Sequence, residues 1–155
     1  MTFETTTDYQ LITSILTNPR AYECMRNDSS PKLEAFAVEP MRGVRWVVGW
    51  VRSVPVAAIM LIRNRKKAQI HFCIVPQAWG VAHQIAEKFL GWVWRADRQL
   101  QKLVALVPSH NRPVVKMAHR HGWRYEATAP NQGTKRGKPF DIMMFVMERP
   151  RGLTT

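Results

Sequence analysis

The chain has 155 residues, 46% of them hydrophobic and 10% aromatic, enough apolar material for one domain with one core and too much for a disordered segment. It carries 23 Lys plus Arg against 11 Asp plus Glu, a formal net charge of +12, a field that attracts polyanions without choosing among nucleic acid, an anionic nucleotide or an acidic protein surface. The longest apolar stretches, Trp46 to Val51 and Val54 to Ile62, contain a Gly or a Pro and fall short of the roughly 20 residues a spanning helix needs, so no membrane partner is expected.

The opening residues, MTFETTTDYQ, are polar and acidic, the wrong character for a secretory leader, so a cytoplasmic protein with Cys24 and Cys73 both reduced is expected. Thr5 to Asp8 offer capping oxygens ahead of Leu11, Ile12, Ile15 and Leu16, whose spacing predicts a first helix ending before Pro19. Arg20 to Met25 reads as a further short helical turn, Arg26 to Lys32 as loop, and Phe36 to Val38 as an extended piece. Arg45 to Arg52 and Val54 to Arg63 read as strands joined near Ser53, and a second turn at Asn64 to Lys67 leads back into the sheet. The Trp-rich composition suits core packing or a base-stacking platform.

Ala68 to Val75 is a short apolar run rich in β-branched and aromatic residues and bounded by Pro76, hence a buried strand. Its pleat sends Gln69, His71, Cys73 and Val75 to one face and Ile70, Phe72 and Ile74 to the other. A tight turn is expected at Gly80. From Val81 the period changes: Val81, Ala82, Ile85, Ala86, Phe89, Leu90 and Val93 form one apolar stripe on a helix. The strand-to-helix turn leaves main-chain N–H groups without partners at the positive end of a helix dipole, a seat for a diphosphate that Gly80, lacking Cβ, lets approach closely. Lys102 to Val107 reads as a fifth strand, Asn111 to Arg120 as a helix with Val114, Val115 and Met117 toward the core, and Phe140 to Glu148 as a last strand after the turn GTKRGKP. The basic clusters Arg63 to Lys67, Lys135 to Lys138, and Arg149 with Arg151 fall on turns and on a tail expected to be loose beyond Pro150. The histidines are dispersed, with no metal-ligand spacing, so no metal is expected.

Gln77, Gly80 and Ala82 spell Gln-x-x-Gly-x-Ala, which resembles the acetyl-CoA-binding motif of the GNAT superfamily of N-acetyltransferases. Asn111, Gly122 and Trp123, in VALVPSHNRPVVKMAHRHGWRYEATAP, resemble the next GNAT block, in which a fifth strand leads to Asn, a helix and a Gly-aromatic pair. The two blocks span Ala68 to Pro130. The resemblance implies a single mixed α/β (α+β) domain over residues 1–155, about seven mostly antiparallel strands with the fourth and fifth splayed, and helices on both faces. It implies that backbone groups around Cys73 to Val75 are free for the pantetheine arm of acetyl-CoA, that Ile74, Val75, Gln77, Trp79, Gly80, Val81 and Ala82 surround the cofactor, and that Asn111 touches its arm, unless Asn111 only caps its helix.

Many GNATs carry a catalytic Glu on the fourth strand. In the Glu-x-His pattern of GNAT-like proteins of tailed phages it falls at Gln69, whose amide cannot act as a base. His71, on the same face, is the remaining candidate for the base, its alternative being an ordinary hydrogen-bonded core histidine. The usual Tyr acid falls at Ala118, so His119, His121 or Tyr125 would have to replace it. Asp28, in the region that flanks a GNAT acceptor site, is a substrate contact or a solvated loop carboxylate, and Asp141 is either the acidic residue of the phage-type proteins or a partner for Lys135, Arg136 and Lys138. The expected function is acetyl transfer from acetyl-CoA to an unidentified amine. The alternative is a lapsed enzyme kept as a phage virion or assembly component near DNA, portal or tail. Direct nucleic-acid binding rests on charge alone.

Overall fold

A computed structural model of the protein describes residues 1–152. Seven strands, β1 (Thr2–Thr6), β2 (Val44–Val51), β3 (Val54–Asn64), β4 (Lys67–Ile74), β5 (Lys102–Pro108), β6 (Arg124–Lys135) and β7 (Lys138–Glu148), form one sheet in the order β1-β2-β3-β4-β5-β7-β6. Every pairing is antiparallel except β4 with β5. Four helices, α1 (Tyr9–Leu16), α2 (Pro19–Met25), α3 (Ala82–Ala96) and α4 (Arg112–Arg120), complete the mixed α+β architecture.

The alternation of the central strands divides the apolar residues between two cores. Val47, Ala57, Ile59, Ile70 and Ile74 face one side, where Ile85, Phe89 and Val93 of α3 cover them together with Ala118 of α4. Trp46, Val48, Ala58 and Cys73 face the other side, under Ile12, Ile15 and Leu16 of α1 and Ala21 of α2. The pleat expected for β4 is therefore the observed one. Phe89, fully buried, meets Phe3 and Phe72 edge-on at centroid distances of 5.7 and 5.3 Å.

Local chemistry sets the element ends. Asp8 accepts from the Leu11 N–H at 2.9 Å and starts α1; Asn18 accepts from Arg20 and Ala21 and starts α2, with Pro19 in the first turn, where its missing N–H costs nothing. α4 ends in a Schellman motif, in which Trp123 N–H donates to Ala118 C=O at 3.0 Å and Gly122 N–H to His119 C=O at 3.1 Å. That motif requires a left-handed residue, and Gly122 supplies φ +76°. The Gly122–Trp123 pair thus turns the chain into β6 while Trp123 joins the core beside Ala118.

Three features depart from expectation. β1 reads as polar capping sequence because only Phe3 points inward; as an edge strand, its exposed Thr and Glu side chains need no apolar partner. The tight turn at Gly80 is a 3-10 helix over Pro76–Val81, and α3 begins at Ala82, one residue later than the apolar stripe suggests. Arg149 is no solvated tail charge: its guanidinium donates to the carbonyls of Trp94, Asp97 and Leu100 and satisfies the C-terminal end of α3. Arg151 and Gly152 form a turn, and the expectation of a loose tail otherwise concerns residues 153–155, which lie outside the described residues. Among the described residues no helix is long and apolar enough to cross a membrane.

Candidate active site

β4 and β5 pair only from Lys67 with Lys102 to Ile70 with Ala105. Beyond that point each strand stays bonded to its outer neighbour, β4 to β3 as far as Ile74 opposite Ala57, and β5 to β7 as far as Pro108 opposite Ile142. The sheet therefore opens into a wedge between residues 71–74 and 106–108. The Val75 N–H donates to Val56 C=O at 2.9 Å, which fixes the alternation: the main-chain groups of Cys73 and Val75 turn toward β3, and those of Phe72 and Ile74 turn into the wedge. This corrects the expectation that the free groups run from Cys73 to Val75, since one slip of register moves every backbone group to the other side.

The corner beyond β4 is more ordered than a loop. The Ala78 N–H donates to Val75 C=O and the Ala82 N–H to Trp79 C=O, so two of the amides expected to be free serve the 3-10 helix. Gln77, Trp79 and Gly80 are exposed, Val81 and Ala82 are half-buried, and the position where a Gly80 Cβ would sit has nothing within 4 Å. Trp79 folds back along the wedge. Its indole N–H donates to Ile74 C=O at 2.9 Å, and the Arg20 guanidinium lies 5.0 Å from its ring centre. One lone pair of that carbonyl and the Ile74 N–H remain for a ligand.

On the α1/α2 face, where β4 leaves β5, lies a pocket of about 220 Å³ bounded by Leu16, Tyr22, Trp46, Met60, His71 and Cys73. His71 Nε2 is 2.6 Å from Gln69 Nε2. An amide NH₂ only donates, so in this pairing the imidazole accepts through Nε2 and carries its proton on Nδ1. Burial lowers the His71 pKa from the usual imidazole value and keeps the ring neutral. Burial pushes the Cys73 thiol up to about 12, with Cys24 adding to the shift, so no thiolate forms near neutral pH.

No family model matches the chain, and no curated protein does. Solved structures match over nearly its whole length. A spermidine N-acetyltransferase from Vibrio cholerae, in complex with CoA and spermine, gives a TM-score of 0.73 at 15% identity, covering 95% of this chain and 94% of that one. A ribosomal-protein-alanine N-acetyltransferase from Brucella melitensis gives 0.69 at 15% identity, covering 96% and 100%. The yncA protein of Salmonella typhimurium, solved with its cofactor acetyl-CoA, gives 0.68 at 16% identity, covering 100% and 97%. The chain has the GNAT fold. At these identities the likeness is one of fold alone.

Within the GNAT fold the remaining expected residues are distributed as follows. Asn111 stands across the wedge at the start of α4; its side chain makes no capping bond, and its carbonyl accepts from Val114 and Val115. Ala118 is the buried residue of α4, packed into the core. His119 meets Phe145 edge-on, Tyr125 shares a 2.6 Å hydrogen bond with Thr128, and His121 Nε2 lies 3.2 Å from His83 Nδ1, joining the end of α4 to the first turn of α3. None of the three borders the His71 pocket. Asp28 is an exposed loop carboxylate outside the pocket lining, and it accepts from the N–H groups of Arg136 and Gly137 at the β6–β7 turn. Asp141 accepts from the Asn131 N–H in a β-bulge of β6. Tyr22 and Trp46 line the pocket but are not among the expected site residues: in the sequence Tyr22 falls in a short helical turn and Trp46 in a strand, and their aromatic character is the sequence signal for them.

Proposed function

We propose that the protein is an acetyl-CoA-dependent N-acetyltransferase, with the wedge taking the pantetheine arm and the His71 pocket taking the amine. The observation that carries this reading is the end of β4–β5 pairing at Ile70, which leaves main-chain groups of Phe72 and Ile74 without a strand partner beside a pocket that contains His71. Ile74 and Val75 would flank the thioester, Gln77, Gly80, Val81 and Ala82 the diphosphate, Trp79 the arm along β4, and Asn111 the arm from the α4 side. The open space over Gly80 fits that assignment, and so does the chain's net charge of +12 toward a polyanionic ligand.

In the reaction the amine nitrogen attacks the thioester carbonyl carbon. The C–N bond forms, the Ile74 N–H would meet the oxyanion, and the C–S bond then breaks with its electron pair leaving on sulfur. With the Gln69 amide turned so that its oxygen accepts from Nε2–H, the Nδ1 lone pair of His71 takes the amine proton, directly or through water, and the thiolate takes a proton from solvent. A Cys73 thiol held near 12 supports direct attack over an acyl-cysteine. The test is calorimetric titration with acetyl-CoA together with thiol release from an amine panel. Absence of both at millimolar ligand would discard the proposal.

A second reading is favoured by two contacts: Gln69 occupies the His71 Nε2, and Ala118 is packed into the core where an acid would be needed. On this reading catalysis has lapsed and the fold serves binding or assembly, a phage virion included. Presence at fixed copy number in purified particles, by mass spectrometry, would support the virion version; absence would remove it.

A further inference from the structure

The amine pocket differs from a polycation site in its electrostatics. Of the side chains that line it, none is Asp or Glu; most are apolar or aromatic, and the one formal charge is the Arg26 guanidinium. Arg26 sits at the exposed rim, where Glu23 engages its Nε. The polar members are equally spoken for: the Tyr22 hydroxyl donates to Pro31 C=O at 2.6 Å, and the Ser30 hydroxyl accepts from the Asn27 N–H at 3.0 Å. A second ammonium group on a bound amine would thus find no carboxylate in the lining and, at the rim, only Glu23, which Arg26 and Arg136 already engage, and it would approach a chain of net charge +12. An unpaired charge in such a place is costly, whereas aromatic walls favour apolar surface. The volume of about 220 Å³ equals that of roughly seven liquid waters, room for a ring or a branched alkyl group.

We infer that the acceptor is a small primary amine on an apolar body, aryl or branched alkyl, with neutral or anionic substituents, and that polyamines are excluded. This rests on the pocket beside β4 being the amine site. The probes are 2-phenylethylamine and isopentylamine against putrescine and spermidine, each measured for acetylation and, independently of turnover, for binding through Trp fluorescence, since Trp46 walls the pocket. The expected result is a kcat/KM at least about tenfold higher for the monoamines, with a fluorescence change on 2-phenylethylamine that Trp46→Phe abolishes. Acetylation that favours spermidine would overturn the acceptor class while leaving the transferase reading intact. Binding of 2-phenylethylamine without any acetylation would do the reverse, and failure of that amine both to bind and to react would overturn the inference. Met60→Glu, at a half-buried pocket position, should move preference toward the diamine by about tenfold, and Arg26→Glu at the exposed rim should act in the same direction without touching the core.

Discussion

Gln69 and His71 lie on one face of β4 with their Nε2 atoms 2.6 Å apart, so the orientation of the Gln69 amide sets the tautomer of its neighbour. Half a turn of the amide would present oxygen instead, move the ring proton to Nε2 and expose Nδ1 as the basic atom. Only that second orientation leaves His71 a lone pair with which to take a proton. His71→Gln is expected to lower kcat by about 10²- to 10⁴-fold, the usual worth of a general base, while acetyl-CoA affinity measured by calorimetry stays unchanged. Gln69→Glu should raise kcat/KM by placing a charge that favours the imidazolium after proton uptake. Because burial lowers the His71 pKa, the acid limb of the rate profile should lie below the ordinary imidazole value of 6.5, with activity falling as pH drops through it and flat above neutrality. The same shift makes His71 stabilising above the unfolded-state pKa, a contribution lost as pH falls.

Gly80 separates the site from the fold. No atom lies within 4 Å of a Cβ built there and its φ is not left-handed, so Gly80→Glu should leave the melting temperature close to wild type, as surface changes within about ±0.5 kcal/mol do. In the same variant a carboxylate stands where the diphosphate is proposed to dock, and acetyl-CoA affinity should fall at least about tenfold. Unchanged affinity in calorimetry would move the diphosphate elsewhere.

Asp28 fastens the loop after α2 to the turn between β6 and β7. Its carboxyl is held below the ordinary carboxylate value first by the Gly137 N–H and then by that of Arg136, with Thr134 adding to both. A lowered folded-state pKa means the latch is intact above the unfolded value of 3.8 and is lost as pH falls through the folded one. Asp28→Ala should speed amide exchange at Arg136 and Gly137 at neutral pH, and the wild type should show the same acceleration only in acid. The latch also holds Glu23, which pairs with Arg136 at 3.0 Å, so the Tyr22, Met25 and Arg26 side of the proposed amine pocket should loosen with it.

Trp79 links the 3-10 helix at Pro76–Val81 to the end of β4. Trp79→Phe keeps a ring beneath Arg20 but removes the donor to Ile74 C=O, and chemical denaturation should show a loss of about 0.5–1.5 kcal/mol, the net worth of one such bond. A loss near zero would mean that water replaces the indole at that carbonyl.

The sequence by itself determined the elements whose signal is local. The apolar stripe from Val81 to Val93, the capping residue Asp8, and the turns at Ser53 and Arg65 depend on neighbours within a few positions, so periodicity and turn chemistry read them correctly. Gly122 before Trp123 likewise announced the end of α4, because the left-handed residue of a Schellman motif is a local demand. The tertiary structure decided what lies between distant segments: the point at which β5 parts from β4, and therefore which of Phe72, Cys73 and Ile74 offers free backbone groups. It also decided that Asp28 serves the β6–β7 turn 108 and 109 residues away, that Arg149 closes α3, and that Tyr22, Trp46 and His71 share one pocket. Pairing register, wedge and latch are energies of contact between segments that the chain's order does not encode locally, and burial sets the ionisation of His71 and, with Cys24 adding to it, that of Cys73.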